Sequence, residues 1–175
     1  MGNNYATAQP LQPVFVKDAK AANRARLYKN LLNTIKRNLS TPVTDSTEEN
    51  WMDAFYNMEL IRFRSPWVET CIHDAFANIE KRSVYFQRSL MEMLYENYPA
   101  VFEKEVLGLT NYTNDPKLFA MCSEYLLRLG DKHRKTIAMK TWQLMQPDST
   151  NAILKLLFYR LNIFKENKTL PPVTD

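Results

Sequence analysis

The chain has 175 residues, of which 45% are apolar, and its formal net charge is +4 at pH 7. This apolar content excludes an intrinsically disordered protein, and the length lets one domain bury a core without disulfides or metals. Only three glycines occur, fewer than all-β or α/β domains use for turns and phosphate loops, so we predict an all-α domain. No apolar run approaches the roughly 18 residues that cross a bilayer, so we expect no membrane span.

The first 16 residues show no periodic pattern, and Pro10 and Pro13 predict an extended lead in front of the domain. Within this lead, Ala6-Thr7-Ala8 resembles the small-residue site that signal peptidase cuts, although no apolar stretch precedes it. The compartment therefore stays open between the cytoplasm and export.

The first helix is predicted from Asp18, whose carboxylate can cap it, to Asn38. Its apolar residues recur at helical spacing: Tyr28, Leu31, Leu32, Ile35 and Leu39. Residues 1–40 carry a charge of +6, against −2 for the rest of the chain. The candidate binding residues are the seven cations of this segment: Lys17, Lys20, Arg24, Arg26, Lys29, Lys36 and Arg37. Such a helix can be a solvated face, dock on an acidic partner or bind a phosphate-rich surface.

Capping signals divide the following residues into further helices. Ser46-Thr47-Glu48-Glu49 is a capping box that starts a second helix. Ser65-Pro66 and Asp115-Pro116 each place a capping residue before a proline at the first helical position. The other predicted caps are Ser83 for a fourth helix, Gly130 for the end of a sixth, and Asp148 or Ser149 for the last. Together they predict seven or eight amphipathic helices over residues 17–165, and a tail or linker over residues 166–175.

Two segments of this pattern suggest an internal repeat. Ser65-Pro66 opens a helix pair that closes at Pro99, and Asp115-Pro116 opens one that closes at Pro147, a period of about 50 residues. One hairpin cannot bury its apolar face alone, so we expect antiparallel hairpins to stack. This pattern resembles HEAT-like and armadillo-like helical repeats. The resemblance implies an α-α superhelix with a concave groove; an irregular helical bundle is the alternative fold.

The sequence contains few residues suited to catalysis. Glu69 and His73 share a helix face near Asp74, but no second histidine stands at ligand spacing, and His133 is expected to be solvated. Gly-rich phosphate loops, Gly-x-Ser-x-Gly and Cys-x-x-Cys motifs do not occur in the sequence. We therefore expect no catalytic site, metal or cofactor. Cys71 and Cys122 are too few for a disulfide framework, which leaves two buried thiols or a single bridge.

The leading functional hypothesis is a non-catalytic interaction or scaffold module that binds a protein partner, as an accessory domain of an exported protein if Ala6-Thr7-Ala8 is cut. Tyrosines off the apolar stripes are expected to supply contact area: Tyr56, Tyr85, Tyr95, Tyr98 and Tyr112. One alternative is an enzyme with a cryptic site near His73. Another is a nucleic-acid or anionic-surface binder, which requires the seven cations to gather on one surface with further arginines: Arg62, Arg64, Arg82 and Arg88. The sequence leaves the partner and the oligomeric state open.

Overall fold

The computed structural model describes the backbone of residues 12–147 and 150–161, and the side chains of the same ranges from residue 19 onward. All regular structure in these ranges is helical, which confirms the all-α prediction. The eight α-helices are α1 (Gln12–Leu39), α2 (Glu48–Ile61), α3 (Pro66–Phe76), α4 (Val84–Asn97), α5 (Glu103–Tyr112), α6 (Pro116–Arg128), α7 (Arg134–Met145) and α8 (Ala152–Arg160). Two 3-10 turns occupy Ile79–Lys81 and Asp131–His133. None of the described helices combines the length and the apolar character that a bilayer crossing needs.

The first helix is longer than the sequence predicted. It begins at Gln12, so the prediction of a start at Asp18 was wrong, and Asp18 lies inside the helix and not at its N-cap. Pro13 was taken as a residue of an extended lead, yet proline is tolerated in the first helical turn, where its missing N–H has no partner to lose. The first part of the predicted lead, with Ala6-Thr7-Ala8, and the predicted tail over residues 166–175 lie outside the described residues.

Four helices, α2, α4, α6 and α8, form a row in which each packs against the next. Contacts at both ends show that α2, α4 and α6 run in the same direction. At one end Glu48, the first residue of α2, accepts a hydrogen bond from the N–H of Ser83, just before α4 (3.0 Å). At the other end Arg128 of α6 donates to the carbonyl of Tyr95 in the last turn of α4 (2.9 Å). The N-caps of this row are Thr47, Ser83, Asp115 and Asn151, at spacings of 36, 32 and 36 residues.

The remaining helices run antiparallel to the row. The start of α3 is bonded to the end of α4, because the N–H of Ser65 donates to the hydroxyl of Tyr98 (3.1 Å). In the same way the N–H of Phe102, before α5, donates to the hydroxyl of Tyr125 in the second half of α6 (3.1 Å). Arg134 at the start of α7 donates to the carbonyl of Leu161 after α8 (2.7 Å). α5 and α7 therefore form hairpins with α6 and α8, α1 packs along α2, and α3 is joined to α4 mainly at this one end.

The predicted period of about 50 residues joined unlike helices. Ser65-Pro66 starts α3, outside the row, whereas Asp115-Pro116 starts α6, within it. A cap followed by proline marks a helix start and carries no information on which side of a hairpin the helix lies. The spacing along the row falls within the roughly 20–50 residues of repeat architectures. Cys71 and Cys122 occupy unlike positions for the same reason, and both are free thiols.

Two of the predicted N-caps make the predicted side-chain bond, and Ser65 occupies the N-cap of α3 without one. Ser83 and Asp115 accept from the amides of Phe86 and Leu118 at 3.1 and 2.7 Å, as predicted. Gly130 has φ +108°, a conformation that favours glycine, but it lies one residue beyond the C-cap of α6, which is Leu129. The capping box from Ser46 was wrong: the N-cap is Thr47, whose hydroxyl donates to the carbonyls of Pro42 and Thr44 and makes no capping bond.

The cap of the last helix was also misplaced. Asn151 caps α8, and its side-chain oxygen accepts from the amides of Ile153 and Leu154 at 3.1 and 3.2 Å. Asp148 and Ser149, the predicted caps, lie too early for a helix that begins at Ala152, and they fall outside the described residues.

Candidate functional site

The N-terminal half of α1 does not pack into the core. Every residue from 19 to 30 is exposed, whereas Ile35 and Leu39 near the other end are buried against α2. At 1.5 Å per residue, the 28 residues of α1 span about 42 Å, while α2 has 14 residues and covers only part of that length.

The apolar stripe of α1 continues beyond the part that α2 covers. Leu31 is half-buried, but Leu27 and Tyr28 are 57% and 47% exposed. At 100° per residue, Leu27, Tyr28 and Leu31 lie on the same side of the helix as the buried Ile35. Large apolar side chains that extend a core stripe into solvent are typical of a surface that another protein covers. We call Leu27, Tyr28 and Leu31 the α1 stripe.

The predicted basic residues lie on this helix. Six of them have described side chains, and all six are exposed: Lys20, Arg24, Arg26, Lys29, Lys36 and Arg37. Lys17 is within α1, but its side chain is not described. None of the six forms an ion pair with a described carboxylate, and Arg37 bonds only to the amide oxygen of Asn38 (3.2 Å). The helical spacing puts Lys20 and Arg24 on the side of the α1 stripe and Arg26 on the opposite side, so the cations surround the helix.

The arginines required for a larger basic surface do not join α1. Arg82 pairs with Asp45 (2.8 Å), and Arg88 pairs with Asp115 (2.7 Å), so both charges are neutralised within the fold. Arg64 donates to the carbonyl of Glu96, and Arg62 follows the last residue of α2 with φ +49°. The basic residues therefore form a helix surrounded by positive charge and not a broad basic face.

His73, the residue suspected of a catalytic role, is half exposed and paired. Its Nδ1 lies 2.8 Å from a carboxylate oxygen of Glu105 in α5, and its side chain is 48% exposed. Its ring also lies 4.7 Å from that of Phe102. Glu69 and Asp74 do not bond to it, and no three described His, Cys, Asp or Glu side chains are arranged to hold a metal ion. The pair joins α3 to α5 and has the character of a link between hairpins.

His133 is not solvated as expected. Its side chain is 13% exposed, and its Nε2 lies 2.7 Å from the carboxylate of Glu103 at the start of α5. Lys132 reaches the other carboxylate oxygen at 2.6 Å. Hydrogen bonds from Lys132 and then His133 hold the pKa of Glu103 below its ordinary value. Sequence reasoning missed both histidine–carboxylate pairs because the partners stand about 30 residues apart in neighbouring hairpins.

The tyrosines expected at the surface divide into two groups. Tyr56, Tyr85 and Tyr112 are well exposed, whereas Tyr98 is buried, because its hydroxyl bonds to the start of α3. Tyr95 is half-buried, with the guanidinium of Arg128 3.0 Å above its ring. The exposed tyrosines lie on three different helices, so they do not identify a single binding surface.

The chemistry of the exposed segment of α1 suits association with a macromolecule. An amphipathic helix with an uncovered stripe can enter an apolar groove or pair with another helix. The cations around it can add attraction to an acidic rim and accelerate encounter. Comparison of the chain with protein-family models, with curated proteins and with solved structures found no match.

Proposed function

We propose that this protein is a non-catalytic helical-repeat interaction module that binds a protein partner through the exposed segment of α1. The observation that carries the proposal is the continuity of the α1 stripe with the buried Ile35 and Leu39. Burying a large apolar side chain is worth roughly 1.5–3 kcal/mol, and Leu27 and Tyr28 are about half exposed. A partner that covers this segment would also stabilise its helix, because a helix of this length is marginal when nothing packs on it.

The partner that fits this segment is a protein with an apolar groove and an acidic border. Lys20 and Arg24 flank the α1 stripe on the same side, and neither has a described carboxylate partner. Carboxylates beside the groove would meet these two cations when Leu27 and Tyr28 enter it. The apolar contacts would set the lifetime of the complex, and the charges would mainly set its rate of formation.

The HEAT-like or armadillo-like superhelix belongs to the same proposal. It is supported by the row of α2, α4, α6 and α8 and by the similar spacing of their N-caps. In such arrays each hairpin contacts only its neighbours, so the helix at one end has an uncovered side. The long α1 at that end is where such an array would meet a partner. An irregular bundle would be favoured if small-angle scattering gave a near-spherical shape.

The test uses a charged double variant of the α1 stripe, L27E/Y28E, with Y85E as a matched control. Tyr85 is 75% exposed on α4, so its substitution adds a surface charge away from α1. All three proteins should unfold at similar temperatures, because exposed positions rarely change stability by more than about 0.5 kcal/mol. We expect a protein captured from the native host by the wild type at high salt to be retained by Y85E and lost by L27E/Y28E. Equal capture by all three proteins would refute the role of the stripe.

A second candidate function is binding to a polyanion through the cations of α1. It is favoured by one observation, the absence of ion-pair partners for the six exposed cations among the described side chains. The two functions differ in their response to salt, because each phosphate contact adds a slope of about −0.9 to log K against log [salt]. The polyanion function would be favoured if both the wild type and L27E/Y28E bind duplex DNA and if this binding weakens steeply from low to moderate salt.

A further inference from the structure

A cavity of about 770 Å³ opens between the C-terminal part of α1 and α3, within the size range of small-molecule sites. α1 packs mainly on α2, and α3 reaches the last residue of α1 through Cys71, whose thiol lies 3.6 Å from the carbonyl of Leu39. The apolar lining of the cavity comes from α1, the following loop, α2 and α3: Leu39, Pro42, Val43, Trp51, Trp67 and Ala75.

Two tryptophans give the cavity its apolar character. Trp51 is buried, and its indole N–H donates to the carbonyl of Thr41 (3.0 Å), so the polar atom of this ring is already used. Trp67 is half-buried on the opposite element, α3. Because Trp51 is only 2% exposed, a ligand here would contact mainly the ring of Trp67 and the aliphatic groups beside it, which suits an apolar body.

The charged residues of the lining are mostly positive. Asp74 is its one carboxylate, against Lys36, Lys81 and Arg82. Arg82 is neutralised by Asp45 at 2.8 Å and has Glu48 at 3.7 Å. Lys81 donates only to the amide oxygen of Asn78 (3.2 Å), and Lys36 has no hydrogen bond or ion pair with the described residues. Neither Lys36 nor Lys81 forms an ion pair with a described carboxylate, although Asp74 lines the same cavity.

We propose that this cavity binds a small amphiphilic carboxylate, with its apolar chain against Trp67 and Val43 and its carboxylate on Lys36 and Lys81. The apolar lining selects the chain, and the two unpaired ammonium groups select an anionic head over a neutral one. The site shares no residue with the α1 stripe, so its test does not depend on the outcome of the test of the proposed function.

Cys71 provides a direct measure of occupancy. Its half-buried thiol lines the cavity and lies 3.6 Å from the carbonyl of Leu39. Cys122 is fully buried, and burial raises the pKa of its thiol to about 12, so it stays unlabelled in the folded protein. We would measure the rate of maleimide addition at Cys71 by mass spectrometry, with dodecanoate or dodecanol present below micelle-forming concentrations. Saturating dodecanoate is expected to slow labelling at least tenfold, and dodecanol to bind about tenfold more weakly.

Charge-removing variants separate this site from nonspecific binding. K36A/K81A should lose about tenfold in affinity for dodecanoate and keep its affinity for dodecanol. The matched control K20A/K29A removes two exposed lysines of α1 outside the cavity and should bind both ligands as the wild type does. The proposal is overturned if dodecanoate leaves Cys71 labelling unchanged, if dodecanol protects equally well, or if both double variants lose affinity to the same extent.

Discussion

Tyr125 offers the sharpest test of how the hairpins are joined. Its side chain is buried, and its hydroxyl donates to the carbonyl of Tyr98 (2.5 Å) and accepts from the N–H of Phe102 (3.1 Å). One hydroxyl group therefore bonds both the carbonyl of Tyr98, after α4, and the N–H of Phe102, before α5. Replacing Tyr125 by phenylalanine removes that hydroxyl and leaves both backbone groups buried without this partner.

The cost follows from the two backbone groups. Each unsatisfied buried donor or acceptor costs about 1–3 kcal/mol, while the more apolar ring returns a part of this. We expect Y125F to lose about 3 kcal/mol of unfolding free energy, which for a chain of this size lowers the midpoint temperature by about 6–12 °C. The ring itself is kept, so we expect the helical content to stay the same.

The assay is urea unfolding followed by circular dichroism, with two tyrosine-to-phenylalanine controls. Y98F removes a hydroxyl that accepts one bond, from the N–H of Ser65, and should cost about 1 kcal/mol. Y85F removes an exposed hydroxyl and should cost nothing measurable. The reasoning is refuted if Y125F is no less stable than Y98F, since the two backbone groups would then not depend on Tyr125.

Three further outcomes are expected. Burial opposes ionisation of Asp115, but hydrogen bonds from Arg88 and Leu118 outweigh it and lower its pKa. The ionised carboxylate therefore stabilises the fold above its ordinary pKa of 3.8, and this stabilisation is lost as the pH falls below that value. In an acid titration, D115N should lose less stability over this pH range than the wild type does. G130A should cost about 1–3 kcal/mol in thermal unfolding through backbone strain alone, because φ is +108° and a Cβ would meet no atom within 4 Å. Hydrogen-exchange mass spectrometry should find the amides of residues 19–30 in fast exchange and those of residues 33–39 protected, because only the second group lies beside the core. Equal protection of the two groups would contradict the exposure of the N-terminal half of α1.

What the sequence could predict was set by the distance over which each interaction acts. Ser83 and Asp115 were identified as caps because the amides that they accept from stand three residues later. The role of Glu48 was missed because its carboxylate bonds to a residue 35 positions away, just before α4. His73 and His133 pair with carboxylates 32 and 30 positions away, which no local pattern marks.

Long-range bonds also explain why the burial of Tyr98 was not predicted. Tyr98 stands beside a proline near a helix end, a local pattern typical of an exposed residue, yet it is 1% exposed. Its burial depends on the N–H of Ser65, which is 33 positions earlier in the chain. An interaction of this kind becomes predictable once the hairpin spacing is known, because Tyr125 makes the equivalent bond one hairpin later.

The exposed segment of α1 has a physical cause in helix length. In the three later pairs, α3 with α4, α5 with α6 and α7 with α8, the two helices differ by at most three residues, and the start of the first is bonded to the end of the second. α1 exceeds α2 by 14 residues, an overhang of about 21 Å at 1.5 Å per residue. An isolated helix of this length is marginal in water, so the overhang gains stability from any partner that covers its stripe. The sequence predicted a first helix from Asp18 to Asn38 with an apolar stripe that begins at Tyr28. The proposed binding depends on the part of this stripe that extends beyond α2.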